Sequence, residues 1–472
     1  MTRLDPTAPA TAGGDISRRR WLQQAGASAA SLALAPGRTL AQKSRSPNVI
    51  LIVADDLGSR DIGCYGADDL VTPNIDGLAK LGVRFSQFYV TAAVCLPSRA
   101  SLLTGRHYQR VMIDGVGLDG SEVTLAELLR AAGYRTALYG KWHLGHRKDV
   151  SPKSQGFDSF VGFKYGAIDN YSYYYYWGPG AKPAMWREDA LIYEGGQHFS
   201  EVVANAAVQF ISDTGDRPYF LYLPLNIPHY PLQPSAEDLE RTRHITDLAR
   251  RMYAAFVTTM DRCIGRVLKA VNDSDQTRDT IVIFLSDHGH SEEKDTLGGG
   301  GRSTPFRGGK GTFWEGGIRV PCIVTAWGRA PAGEVRHQLS SSLDLFPTIA
   351  EWCGVPLQGL EVDGRSLTQV IASAQAPSPH DHMVWQYMNW AAVRSGDWKF
   401  VADDKKDLHL YQLSVDPAES KNLFKSHPDQ VRRLVDLHRA WVTEMREDPR
   451  THTHLPPVPG QPLAPKLTFP RR

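Results

Sequence analysis

Four apolar runs in this 472-residue chain each end in residues suited to chemistry. Val49 to Ala54 stops at Asp55-Asp56. Tyr134 to Tyr139 runs into Gly140-Lys141-Trp142-His143, and Tyr219 to Leu223 leads to Asn226-Ile227-Pro228-His229. Thr280 to Leu285 ends at Ser286-Asp287-His288-Gly289. Such runs read as buried strands, and in open α/β sheets ligands bind beyond the carboxyl ends of the strands. Four strands that deliver polar groups at that end therefore describe one convergent site. Asp55, Asp56 and Asp287, with His288 beside the last, suit a hard divalent cation. Taken singly, each acid is equally a helix cap or a surface charge. Lys141 and Lys310 lie in glycine-bounded loops where backbone can approach an anion. His143 and His229 supply ring nitrogens for proton transfer, although a lone histidine near a strand end is more often structural.

The stretch Val94 to Arg106, VCLPSRASLLTGR, is the most informative. Pro97 fits a helix start and Gly105 a helix end, which puts Cys95 at a helix N-terminus where negative charge is favoured. Two readings follow from the residues alone: a buried cysteine ahead of a short helix, or a thiolate nucleophile of lowered pKa.

The C-x-P-S-R string resembles the signature of the type I sulfatases, in which this cysteine becomes formylglycine (3-oxoalanine) after translation. The resemblance extends along most of the chain: Asp55-Asp56, Thr72-Pro73-Asn74-Ile75-Asp76, Gly140 to Gly145, Pro228-His229-Tyr230-Pro231, Ser286 to Gly289, Lys310 to Pro321, and Asp416-Pro417 before Asn422-Leu423. Leu96 fills a place where the family often has a small residue. His288 stands where many members have asparagine and some histidine.

The resemblance implies an alkaline-phosphatase-like fold and a sulfuric ester hydrolase of the arylsulfatase type. It implies Ca2+ held by Asp55, Asp56, Asp287, His288 and the modified Cys95. It also implies hydrated formylglycine at Cys95 as the nucleophile, Arg99 orienting it, Lys141 and Lys310 on the sulfate oxygens, His229 as acid for the leaving oxygen and His143 as base for sulfate release. The chemistry has that need: a sulfate monoester is anionic and its leaving alkoxide is poor, so charge must be neutralised and the leaving oxygen protonated. The implied partners are a sulfate ester, aryl or carbohydrate, and a formylglycine-generating maturation enzyme. A phosphate or phosphonate ester hydrolase of the same superfamily is the rival enzyme. A silent calcium-binding module is the rival from outside catalysis.

The elements that must position these groups are equally visible. Apolar runs alternate with amphipathic helical stretches, which predicts a large mixed sheet sandwiched by helices. Thr72-Pro73 opens a helix, Thr124 with Glu127 reads as a capping box, Gly133 closes that helix, and longer helical patterns cover Ile245 to Val271 and Leu345 to Trp352. After about Ser378 come strand-like pieces at Met383–Met388, Trp390–Val393, Trp398–Val401 and Leu410–Leu413, then a helix from about Asp429. These predict a smaller C-terminal α+β domain, a short antiparallel sheet plus a helix. Tyr171, Tyr173 to Tyr176 and Trp177 form an aromatic cluster that reads either as a packed hairpin or as a platform for a sugar or aryl ring.

Ser17-Arg18-Arg19-Arg20-Trp21-Leu22 ahead of a mild apolar run resembles a bacterial twin-arginine export signal, with cleavage expected after Ala41. The expected divisions are this leader (1–41), a catalytic domain (42–377), the C-terminal α+β unit (378–448) and a Pro/Arg-rich tail (449–472). Export through the twin-arginine machinery implies a periplasmic or secreted protein. With 53 Lys+Arg against 51 Asp+Glu the net charge is +2, which argues against nucleic-acid binding through a basic surface. No segment is apolar and long enough to span a membrane. Five scattered cysteines exclude a disulfide scaffold and a paired zinc motif.

Overall fold

A computed structural model describes residues 46–451 other than 179, 194, 275, 294–297, 406 and 449. The leader expected at 1–41 and nearly all of the tail from 449 lie outside the described residues.

Ten strands make one mixed sheet, and its centre is parallel. Asn48–Asp55 pairs in parallel with Tyr219–Pro228 on one side and Thr280–Ser286 on the other. Arg135–Lys141 and Ser159–Phe163 extend the parallel part, and Cys322–Ala326 adds an antiparallel strand beyond Thr280–Ser286. Every residue of Asn48–Asp55 is buried, as expected of a strand covered on both faces. Because side chains alternate along a strand, Val49, Leu51 and Val53 enter one hydrophobic core while Ile50, Ile52 and Ala54 enter another. The first core takes helices Cys95–Thr104, Leu125–Ala131 and Leu345–Trp352; the second takes Pro73–Leu81, Phe199–Ser212 and Leu248–Asp273. This is the α/β sandwich expected of the alkaline-phosphatase-like fold.

Local signals held with small shifts. Thr124 and Glu127 form the capping box. The long helix starts at Leu248 rather than Ile245, because the Asp247 carboxylate accepts the Arg250 N–H and caps it there. Gly105 ends the Cys95 helix at φ 67, and a Cβ there would lie 2.7 Å from Phe346, so only glycine fits.

The four C-terminal strands, His382–Tyr387, Trp390–Ser395, Trp398–Ala402 and Leu408–Gln412, form an antiparallel meander. One face packs on helix Pro428–Glu447 through Leu434, Trp441, Val442 and Met445; the other adds Trp385, Val401 and Tyr411 to the first core of the large sheet. A buried ion cluster ties the two parts together. Lys399 Nζ lies 2.8 Å from Glu315 Oε1 and 2.9 Å from Glu419 Oε1, and Glu419 Oε2 accepts the Glu315 backbone N–H.

His438, on the C-terminal helix, donates Nε2–H to Gln386 Oε1 (2.8 Å), while its buried Nδ1 has no partner. Burial, with Arg439 and Arg446 nearby, pushes its pKa down to about 4. The unfolded chain protonates this histidine near pH 6.5 and the folded one does not, so its contribution is complete above pH 6.5 and fades as pH falls toward 4. The loss amounts to about 3 kcal/mol. Denaturation midpoints measured from pH 7 to 5 are expected to fall more steeply in wild type than in His438→Gln; parallel curves would contradict this.

Candidate active site

Strand register brings the carboxylates together. Ala54 pairs with Ser286, so the residues that follow each, Asp55 and Asp287, leave the sheet side by side, and the Asp287 N–H donates to Ala54 O. Asp56 turns with φ 65, and its own N–H donates to Asp287 Oδ1 at 3.3 Å. The Cys95 helix packs against this edge. Ser98 Oγ donates to the Asp287 carbonyl at 2.5 Å, and the fully buried Arg99 donates Nε to Asp287 Oδ2 at 2.9 Å while its Nη2 lies 3.2 Å from Asp55 Oδ1.

The lysines divide between the adjacent acids. Lys141 is the last residue of its strand, not part of a loop, and its Nζ is bonded to both Asp55 oxygens at 2.7 and 2.9 Å. A fully buried ammonium requires such a partner. It stands behind Asp55 and does not line the cavity. Lys310 Nζ donates to Asp56 Oδ2 at 3.0 Å and lies 3.2 Å from His229 Nε2.

Charge sets the protonation of each group. Burial pushes the Asp55 carboxyl up, but Lys141, His229, Arg99 and Lys310 together hold it well below the usual range. At Asp56 burial wins over Lys310, His229 and His288, and its pKa is raised. Burial also opposes ionisation of Cys95, yet Lys141 and Lys310 bring its thiol below the ordinary value. Burial drives His229 down to about 3 against the pull of Asp56 and Asp55. Since the Nδ1 of this neutral ring faces the Tyr230 carbonyl at 2.6 Å, Nδ1 carries the proton and Nε2 faces Lys310 with a lone pair. Burial, Lys141 and Arg99 likewise hold His143 well below its usual value; its Nδ1 is buried with no partner.

The donor set fits a cation. Ligand atoms of Asp55, Cys95, Asp287 and His288 all lie within 4.8 Å of one another, as do those of Asp56, Cys95 and His229. His288 Nδ1 faces the Gly289 carbonyl at 2.9 Å, which aims Nε2 at Cys95 Sγ (3.1 Å), Asp56 Oδ1 (3.4 Å) and Asp287 Oδ1 (3.6 Å). Asp56 Oδ1 is buried and has no hydrogen-bond partner. Burial pushes His288 down, but Asp287, Cys95 and Asp56 overcome it and raise its pKa to about 10.

Above this cluster is a cavity of about 340 Å3. Cys95, His143, His229 and Lys310 line it, whereas Arg99, Lys141 and the three aspartates support it from behind. The aromatic cluster is built on a hairpin, Tyr174–Tyr175 pairing with Lys182–Pro183, and Tyr175 and Trp177 line the cavity. Tyr230, Glu293 and Tyr387 line it too and were not anticipated from sequence. Tyr230 sits inside the Pro228–Pro231 string and was open to discovery; Tyr387 comes from the C-terminal sheet and carries no local signal. A larger groove of about 630 Å3 along helix Leu248–Asp273 has cations that are already paired, Arg262 with Glu201 and Asp238, and Lys269 with Asp273.

Comparison with known proteins identifies the framework. The sulfatase family model matches residues 47–355. The chain belongs to the sulfatase family. Human arylsulfatase A (Homo sapiens) is 34% identical over 83% of this sulfatase and 85% of its own length. The steryl-sulfatase of Mus musculus is 32% identical over 81% and 74%. Among solved structures, Ps i-CgsB in complex with a neocarrahexaose superposes with a TM-score of 0.77 at 30% identity, covering 84% of this chain and 93% of that one. The phosphonate monoester hydrolase of Agrobacterium radiobacter (TM-score 0.63, 19% identity, 85% and 96% covered) shares the fold. This sulfatase is thus a sulfuric ester hydrolase of the alkaline-phosphatase-like superfamily. No helix among the described residues is long and apolar enough to cross a membrane.

Proposed function

We propose that this sulfatase cleaves sulfate monoesters with a formylglycine made from Cys95 and with Ca2+ held by Asp55, Asp56, Asp287, His288 and residue 95. The observation that carries the reading is the position of Cys95: at a helix N-terminus, buried, 3.1 Å from His288 Nε2 and inside the carboxylate cluster. Chemistry of the donor set agrees. As a thiol, residue 95 would bias the set toward softer metals; carrying oxygen, it joins three aspartates in a set suited to calcium. Conversion replaces the sulfur on Cβ with oxygen and oxidises that carbon, work for a separate maturation enzyme with its own oxidant. Twin-arginine export to the periplasm or outside completes the proposal.

When present, the aldehyde hydrate supplies an oxygen nucleophile and a built-in route for expelling sulfate without water attacking a second ester, and Ca2+ supplies charge for the sulfate oxygens. The chain's own groups do the rest. Arg99, locked between Asp287 and Asp55, fixes the carboxylates beneath residue 95. Lys310 draws the sulfate into the cavity, and Lys141 neutralises Asp55 behind it. His229, whose Nε2 accepts from Lys310, lines the cavity; an arriving anion favours protonation of that nitrogen, and that proton passes to the leaving oxygen. His143, neutral and with an unpartnered nitrogen, accepts the proton whose removal releases sulfate. Acid–base assistance of this kind contributes about 10²- to 10⁴-fold.

The test is the mass of the peptide containing Cys95, from protein made in a host able to modify it. The expected mass is that of cysteine with its sulfur and two hydrogens replaced by one oxygen, or of the hydrate. An intact thiol in protein that turns over a sulfate ester would overturn the reading.

A further inference from the structure

Apart from the groups that handle sulfate, the cavity wall is aromatic and nearly uncharged. Tyr175, Trp177 and Tyr230 form a continuous run of rings, with centroids 5.8 Å apart for the first pair and 6.0 Å for the second. Their hydroxyls are already engaged by the protein: Tyr175 donates to the Trp177 carbonyl at 3.0 Å, and Tyr230 is hydrogen-bonded to Glu293. The wall therefore presents aromatic carbon instead of free hydroxyls to an incoming alcohol; Tyr175 is backed by Tyr165 (4.7 Å) and Tyr230 by His229 (4.1 Å), so Trp177 is the ring with most surface left to stack on. Trp177 is 41% exposed, so its indole has open surface left to cover. Selecting a sugar by its hydroxyls takes aimed donors and acceptors, which this side of the cavity lacks among the described residues.

Charge adds a second constraint. Among the described lining residues Glu293 is the one carboxylate, and it lies 3.7 Å from Lys310 Nζ. A carboxylate or second sulfate on the leaving group would meet it, a repulsion that grows as water is excluded.

We infer that Trp177, Tyr175 and Tyr230 bind the leaving alcohol as an uncharged ring by stacking, and that Glu293 rejects rings bearing another anionic group. The substrate class is a monosulfated ring, aryl or neutral sugar, met through an apolar face. This rests on the sulfatase reading of the site.

Kinetics with three esters test it: 4-nitrophenyl sulfate, a neutral monosaccharide sulfate and 4-carboxyphenyl sulfate. For Trp177→Ala we expect KM for the preferred neutral ester to rise about tenfold, kcat to stay within about twofold, and inhibition by inorganic sulfate to be unchanged. Wild type should prefer 4-nitrophenyl over 4-carboxyphenyl sulfate at least about tenfold in kcat/KM, and Glu293→Gln should remove most of that preference. Whichever neutral ester suffers the larger rise in KM on Trp177→Ala identifies the ring that the wall meets. An unchanged KM in Trp177→Ala, or equal use of the carboxylated ester by wild type, overturns the inference while leaving the sulfatase reading intact. Wild type that cleaves none of the esters and is not inhibited by sulfate overturns the reading of the site itself.

Discussion

Cys95→Ala is expected to lower kcat for an aryl sulfate by about 10⁴- to 10⁶-fold, the range seen when a covalent nucleophile is removed. Protein of native stability should still be obtained. The side chain is small, and its hydrogen-bonding contact is His288 Nε2 at 3.1 Å; removing one atom from a packed wall costs about 1 kcal/mol. The helix does not depend on it either, since Val94 is the N-cap residue and Arg99 anchors the first turn to Asp287 and Asp55. Single-turnover and steady-state assays alongside a thermal melt separate the two effects. Near-native turnover in well-folded Cys95→Ala would mean that the nucleophile lies elsewhere.

The second large effect is expected for Asp56→Asn. Asp56 sits at φ 65, a left-handed conformation that asparagine adopts as readily as aspartate, and its backbone is clamped on both sides, N–H to Asp287 Oδ1 and carbonyl to the Tyr253 hydroxyl. The substitution therefore changes charge with almost no change of shape. If the orphan Oδ1 is a calcium ligand, the purified variant should carry substoichiometric calcium by elemental analysis. Its kcat should fall about 10³-fold, corresponding to several kcal/mol of lost charge stabilisation. Lys310 and His229 would also lose their carboxylate partner. Full calcium content together with full activity would exclude Asp56 from the metal site.

How much of this was legible depended on distance along the chain. The central strands were visible because residues buried on both faces are apolar throughout, and the chemistry clusters where those runs stop. Cys95, His229 and Lys310 could be named from contiguous strings. Their pairing could not: that Lys141 is spent on Asp55 and Lys310 on Asp56 follows from strand register and from burial, which forces a lysine onto the nearest carboxylate. Tyr387 was invisible for another reason. A tyrosine in a short strand looks the same whether it packs in a core or lines a cavity, and only the docking of the C-terminal sheet decides. The aromatic cluster resisted a single reading because its rings divide, Tyr173 being buried in the core while Trp177 is partly exposed and lines the cavity.

The ion cluster between the two parts of the molecule makes the C-terminal sheet part of the frame of the site. Glu315 follows Lys310 by one short loop, and its buried charge is matched by Lys399, 84 residues later, and held by Glu419, 104 residues later. The segment from Lys310 to Glu315 is thus held at one end by Asp56, beneath the cavity, and at the other by the C-terminal sheet, whose Tyr387 lines that cavity. The two parts of the molecule share one wall.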